Sequence, residues 1–432
     1  MMTKQNGEGR VGSVNRRSVL KGGAAALASG ASMLSAPMVW ANNLKDITLR
    51  QVGPSFSVYP DIAAKASEDL GFKIETQGAW TDALMARVVR QPETVDIADL
   101  EFWALSKLWR SKQLQAIEVN KIQNWDKISP LFREGKNVDG GDASRQGVLP
   151  YEVQYADGQG TGLFANGPTD LATVVPTIYN ADTLGIRPDL IGRPIDSWAE
   201  LLNPEFAGKT ALLNVPQIGI MDAAMAIEAR GDFTYGDKGN MTREEIDKTI
   251  DILIAAKKAG QFRAFWSSFD ESVNLMASGE VVIQSMWSPA VTAVRTRGID
   301  VSYAPLKEGY RGWGVGMGMM GHLDGLKRDA AYEYLNWILD GWQGAFMAKT
   351  GYYSSVPETA KSALSTAEWD FWYGGQPASE EIKDPFGALQ GGVGLVRDGG
   401  SFEDRIGNIN CWNTVMDEER HMVKRWNEFV SS

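Results

Sequence analysis

A chain of 432 residues, 44% of them hydrophobic and 22% charged, has the balance of a globular protein long enough for roughly two or three domains. Its single cysteine, Cys411, excludes an intrachain disulfide or a CxxC site, and its two histidines, His322 and His421, exclude a three-histidine metal centre. A net charge of −11 argues against nucleic-acid binding, which needs clustered Lys and Arg to neutralise phosphates.

The charge is unevenly spread. Residues 1–41 hold Lys4, Arg10, Arg16, Arg17 and Lys21 against one acid, Glu8, so this stretch is +4 and the remainder −15. Arg16-Arg17 lead into Leu20-Lys21, then a weakly apolar Gly/Ala/Ser segment from Gly22 to Pro37, then Val39-Trp40-Ala41. That order reads as a cleaved export signal of the twin-arginine type, with cleavage near Ala41 and a periplasmic destination. The segment is too short and too poor in Leu and Ile for a membrane span, which needs ~20 strongly apolar residues.

From Lys45 the pattern alternates strand and helix. Ile47–Val52 reads as a strand and Gly53–Ser57 as a loop. Pro60 suits a first helical position, and Ile62, Ala63, Ala66 and Leu70 share one helical face. Gly71 stops that helix, Phe72–Thr76 is the next strand, and a second helix runs through Leu84 and Val88 to the strand Val95–Leu100. Consecutive βαβ units predict a parallel sheet with helices on its faces, an α/β fold. Farther on, Thr242 and Glu245 form a capping box for a helix ending near Gly260. Val281–Met286 reads as a strand and Arg328–Asp340 as a helix. Open α/β sheets bind ligands beyond the carboxyl ends of their strands, which selects the loops Gly53–Tyr59, Glu101–Trp103 and Trp287–Pro289.

Several motifs carry no chemistry. Gly316-x-Gly318-x-x-Gly321 fits a dinucleotide pattern, but it lacks the partner acid and reads as a tight packing segment. There is no Walker A, HExxH or GxSxG sequence, no metal site is expected, and the histidines read as surface residues. A secreted hydrolase would need one of them as its base. Of the tryptophans, Trp125, Trp337, Trp342, Trp369 and Trp426 fall at helical spacings and are expected in packing. Trp103, Trp266, Trp287 and Trp313 stand at strand ends or in Gly/Ser-rich loops, where they are equally suited to ligand contact.

Longer segments carry a family resemblance. Asp196-Ser197-Trp198-Ala199-Glu200-Leu201-Leu202-Asn203-Pro204-Glu205-Phe206-Ala207-Gly208-Lys209 resembles the "SWADL…PEYKGK" stretch of the extracellular solute-binding proteins of ABC importers, in the spermidine/putrescine-binding branch. Tyr179–Asp182 resembles the crossover strand before it. Gly279-Glu280-Val281 with Trp287, Pro305–Gly309 with Trp313, and Gly351-Tyr352 match later signatures in the right order. The resemblance implies a two-lobed periplasmic binding protein fold of type II, its lobes joined by crossover strands. The expected division is 42–175 plus 288–322 for lobe 1, and 176–287 plus 323–432 for lobe 2. It also implies a monomer that closes on a small solute and hands it to membrane permease and ATPase subunits, with no cofactor and no catalysis.

Carried over by position, the ligand contacts fall on Phe56 or Tyr59, on Glu101 to Trp103, on Asp222, on Trp266 to Asp270, on Trp287 and Trp313 as paired aromatic walls, and on Tyr352. Asp222 is expected to open a helix after Leu212-Leu213. Aromatic faces and the carboxylates Glu101, Asp222 and Asp270 suit an amine. The acids that polyamine-binding members carry after Trp287 and Trp313 are replaced by Ser288-Pro289 and Gly314-Val315-Gly316, and Pro54–Ser57 lacks their Trp-x-Glu-Tyr. The implied ligand therefore extends to a monoamine, a quaternary amine, an amino-acid-like compound or an organic acid. Ferric ion through Tyr352-Tyr353 is a further alternative. Pro150–Gly167 reads as an extra rim, and the Gly-rich tail Phe386–Asn413 as longer than usual.

Overall fold

The computed structural model describes residues 44–159 and 162–432; the expected export signal and its cleavage point lie outside the described residues. The first strands are β1 (Thr48–Gly53), β2 (Lys73–Gly78) and β3 (Ile97–Glu101), all parallel, with the helices Pro60–Leu70 and Thr81–Arg90 between them. Pro60 opens its helix, and Gly71 closes it at φ 74°, a left-handed conformation that costs glycine nothing. These elements fall where the apolar periodicity places them.

The chain then enters β4 (Val175–Ile186), followed by β5 (Thr210–Leu213), β6 (Phe262–Trp266), β7 (Ile283–Met286) and β8 (Tyr310–Met320). Across the sheet the order is β2, β1, β3, β8, β4, β7, β5, β6. β4 connects the two halves. Its residues from Val175 to Asp182 pair antiparallel with β8, and those from Thr183 to Ile186 pair with β7. β5 lies parallel to both β6 and β7. The capping box at Thr242 and Glu245 forms as expected and starts the helix Arg243–Lys258.

Buried side chains gather in three clusters. One surrounds β1, β3 and β8. The other two lie on opposite faces of the second sheet half, because successive residues of a strand alternate: Leu212 joins one, Ala211 and Leu213 the other. The clusters group differently from the expected lobe boundaries. The helix Ser288–Arg295 buries Ala290, Val291 and Val294 with Leu213 in the second half. The helices Gly325–Ile338 and Trp342–Lys349 pack into the first half, since β8 has delivered the chain there. Within 323–432 it is the C-terminal helix Glu419–Ser431 that returns to the second, through Met422, Trp426 and Phe429.

The Gly316–Gly321 run is a packing device. It lies on β8, and a Cβ on Gly316 would stand 2.5 Å from Val174 Cγ2. Pro150–Val153 and the bridge Tyr155–Ala172 cover the first core, and none of the described residues of the Pro150–Gly167 segment lines the cavity described below.

Candidate functional site

The parallel strands of both halves end at one crevice, as open α/β sheets require. β1 runs into Pro54–Tyr59 and β3 into Glu101 and the short helix Phe102–Leu108. From the other half, β5 leads to Val215–Ile218, β6 to Ser267–Phe269 and β7 to Trp287–Pro289. β8 contributes Arg311 and Trp313 to the floor. Together they bound a cavity of about 860 Å3.

Its walls are aromatic. Phe56, Trp313 and Tyr352 form a mutually touching group, with ring centroids 5.1 Å apart for Phe56–Trp313 and 5.5 Å for Trp313–Tyr352, both edge-to-face. Trp287 faces the cavity from the second half, backed edge-on by Trp266 at 4.9 Å. Trp103 is nearly buried beside Glu101, and Tyr59 packs against Phe346 and Phe386. Edge-to-face packing fixes each ring and leaves another face free for a guest.

The charges are uneven. Asp82, Glu101, Asp182 and Asp384 border the cavity, against one cation among the described residues, Arg311. Arg311 is already committed: Nε donates to Asp222 Oδ1 at 2.7 Å, Nη1 to Asn413 Oδ1 at 2.8 Å, and Nη2 faces Asp182 Oδ2 at 3.3 Å. Asp182 also accepts from the Tyr303 hydroxyl at 3.0 Å. Burial pushes the Asp182 and Asp222 carboxyls upward while the guanidinium pulls them back. Glu101 is 7% exposed and accepts from Thr81 Oγ1 at 2.6 Å. Burial raises its carboxyl above the ordinary range, and the Thr81 bond offsets part of that.

Phe56, Tyr59, Glu101, Trp103, Trp287, Trp313 and Tyr352 are thus brought together around one cavity. Three expected contacts are not. Asp222 lies within the helix Pro216–Ala229 rather than at its start, fully buried against Arg311. Trp266 is buried behind Trp287, because the last side chain of β6 points into the core. Asp270 is exposed in the first turn of the helix Phe269–Ser278 and takes no part in the lining. Trp287 and Trp313 are both walls, but each packs with a partner from its own half. Tyr353 is wholly buried against Tyr373 and Phe402 while Tyr352 faces the cavity, so the two hydroxyls do not converge on one ion. The histidines stand apart, His322 against Asp96 and His421 against Asp247.

Sequence reasoning missed Trp80, Asp82, Asp182, Arg311, Asp384 and the tail residues Phe386 and Gln390 as lining. Arg311 had a legible signal. A lone arginine in an otherwise apolar and glycine-rich run demands buried partners.

A family model described as bacterial extracellular solute-binding protein matches residues 61–371. Solved structures show the same fold. The substrate-binding protein PotD of a spermidine/putrescine ABC transporter from Streptococcus pneumoniae has a TM-score of 0.59 at 12% identity, covering 89% of this chain and 98% of that one. The TpPotD lipoprotein of Treponema pallidum gives 0.61 at 13% identity, with coverages of 89% and 99%. A structure described as the Atu4243–GABA receptor gives 0.55 at 16% identity, with coverages of 89% and 97%. No curated protein matches the chain. At these identities the structural likeness establishes the two-lobed periplasmic binding protein fold.

Proposed function

The chain belongs to the bacterial extracellular solute-binding proteins, and from that premise we propose that its cleft captures a small amine-type solute for import. Proteins of this family are solute binders and not enzymes; they deliver a small solute to ABC permease and ATPase subunits. Among the described residues no helix is long and apolar enough to cross a membrane.

The observation that carries the ligand class is the charge of the lining: among the described residues four carboxylates border the cavity against one cation, Arg311, which Asp182 of that set and the buried Asp222 both pair with, leaving Asp82, Glu101 and Asp384 without an ion pair. An ammonium over Trp313, Phe56 or Trp287 gains roughly 0.5–2 kcal/mol per well-placed ring. A charge-assisted bond to Glu101 adds about 1.5–3 kcal/mol. A few such contacts supply much of the roughly 8 kcal/mol that micromolar affinity requires. The surrounding negative charge attracts cations from a distance, more strongly at low salt. An organic anion would meet those carboxylates unshielded.

The same reading includes export by the twin-arginine route through Arg16-Arg17, cleavage near Ala41, and action as a periplasmic monomer. The test is thermal unfolding and tryptophan fluorescence of the chain from Asn42, with n-butylamine, 1,4-diaminobutane, choline and 4-aminobutyrate, and butyrate as the anionic control. A bound amine at a hundredfold its Kd stabilises by about 2.7 kcal/mol. No shift with any ammonium compound, or a shift with butyrate alone, rejects the amine reading.

A further inference from the structure

Behind the cleft, where Gly351 precedes Tyr352, lies a second hollow of about 40 Å3. It shares Thr292, Thr350 and Gln390 with the main cavity, so the two adjoin. Three guanidiniums border it, from Arg295, Arg397 and Arg405, against the single carboxylate of Asp398. Arg295 takes that carboxylate, at 2.6 Å.

Among the described residues the other two arginines form no ion pair, and they share the field of the same Asp398 carboxylate. Arg397 is 7% exposed and donates to the carbonyl oxygens of Trp372 at 2.6 Å and Gly351 at 2.8 Å. Its guanidinium lies 4.4 Å from the Tyr353 ring centroid and 4.8 Å from that of Trp372. Arg405 is 1% exposed and donates to the carbonyls of Asp398 and Ala181 and to Asn180 Oδ1, while its Nε has no partner. Asp182, on the adjoining strand, is held by Arg311 and Tyr303.

Burying a guanidinium without a counter-charge is costly, and ring faces and carbonyl dipoles offset only part of it. Burial and the repulsion of Arg405 pull Arg397 down to about 10. The hollow exceeds the ~10–15 Å3 that admits one water, and it adjoins the main cavity at Thr292, Thr350 and Gln390. We propose that it is an anion subsite, which takes the carboxylate of an amino-acid-like solute whose ammonium sits among Trp313, Phe56 and Glu101. The ammonium end rests on the amine reading above; the carboxylate end rests on the arginines alone. A diamine is disfavoured, since its second ammonium would meet Arg397 and Arg405.

The experiment compares 4-aminobutyrate and 6-aminohexanoate with n-butylamine and n-hexylamine by isothermal titration of the chain from Asn42, with butyrate and hexanoate as a third arm. At least one amino acid is expected to bind about tenfold tighter than its matched amine, the worth of a hydrogen bond to a charged group. Arg397→Gln lowers the amino-acid affinity severalfold more than the amine affinity. Asp398→Asn, which removes the competing carboxylate, increases the amino-acid preference. Equal binding of amine and amino acid at both lengths overturns the subsite, as does an Arg397→Gln variant that weakens both alike. Should Arg397→Gln fail to fold, the wild-type comparison and Asp398→Asn decide, and an unchanged or reduced preference in the latter overturns it. Binding of alkanoates without amines sinks the ammonium cage and leaves the subsite standing; binding of neither amino acids nor alkanoates sinks the subsite.

Discussion

Replacing Glu101 with glutamine separates affinity from stability. The side chain is nearly buried, accepts a hydrogen bond from Thr81, and borders the cavity beside Trp103. Glutamine keeps its shape and its Thr81 contact but removes the charge. A hydrogen bond to a charged group contributes about 1.5–3 kcal/mol, so an ammonium ligand should bind roughly 10- to 150-fold more weakly. The empty protein should behave oppositely. Burial raises the Glu101 carboxyl in the folded state, so its contribution is most favourable at acid pH and is lost as pH rises from the unfolded value through the raised folded one. Glu101→Gln is free of that loss, so the ligand-free variant should melt at or above the wild-type temperature at pH 7–8, with the gap closing toward pH 4. Titration calorimetry with an amine that binds the wild type, alongside melts across pH, reads both. Unchanged amine affinity, or an empty variant that melts lower at pH 8 than wild type, refutes the assignment of Glu101 as a charge kept for the guest.

Trp313→Ala should weaken amine binding by roughly 2- to 30-fold, the worth of one cation–π face, and cost about 3–5 kcal/mol of stability by removing its ring contacts with Phe56 and Tyr352; calorimetry and denaturant unfolding measure the two. Arg311→Met strands Asp182 and Asp222, so it should cost at least about 3–5 kcal/mol at neutral pH and recover as acid protonates them, seen in melts from pH 8 to 4. Asp99, buried with only Gln51 and Ser57 as donors, is pushed up to about 7. Its contribution to stability is therefore present below about pH 4 and lost as pH rises through 7, and Asp99→Asn should flatten that slope in pH-dependent unfolding. Gly147→Ala places a Cβ 1.9 Å from the Trp412 carbonyl oxygen at a φ of 78°, and should lower the melting temperature sharply.

Much of this molecule is local information. The β1–β3 repeat is legible because its helices bury period-3.6 stripes and its turns carry Pro60 and Gly71. The cavity loops are legible because topology sends strand ends to one side. What escapes is pairing at a distance. Asp222 looks like a free acid until Arg311, 89 residues later in sequence, closes on it. Trp266 ends β6 while Trp287 follows β7 and caps the next helix, and that backbone position rather than residue type decides which faces the guest. The placement of 323–406 depends on where β8 delivers the chain, which no window of its own sequence encodes. The Gly-rich tail reads as an extension, but its contribution of Phe386 and Gln390 to the lining follows from a short hairpin folding back over the crevice.

The long strand β4 constrains how the two halves can move. All twelve of its residues are buried, and its partner changes from β8 to β7 between Asp182 and Thr183. The rung at that changeover is Asp182 opposite Arg311, the two residues that also face each other as an ion pair. Sliding β4 by one position would turn every side chain to the wrong face and separate those charges, so shear is forbidden. Flexure at that rung preserves the register. Trp313 pairs two residues from the changeover and Trp287 follows the residue that pairs beside it, so on so short an arm a small angular change moves the indoles little and the outer rims of the crevice more.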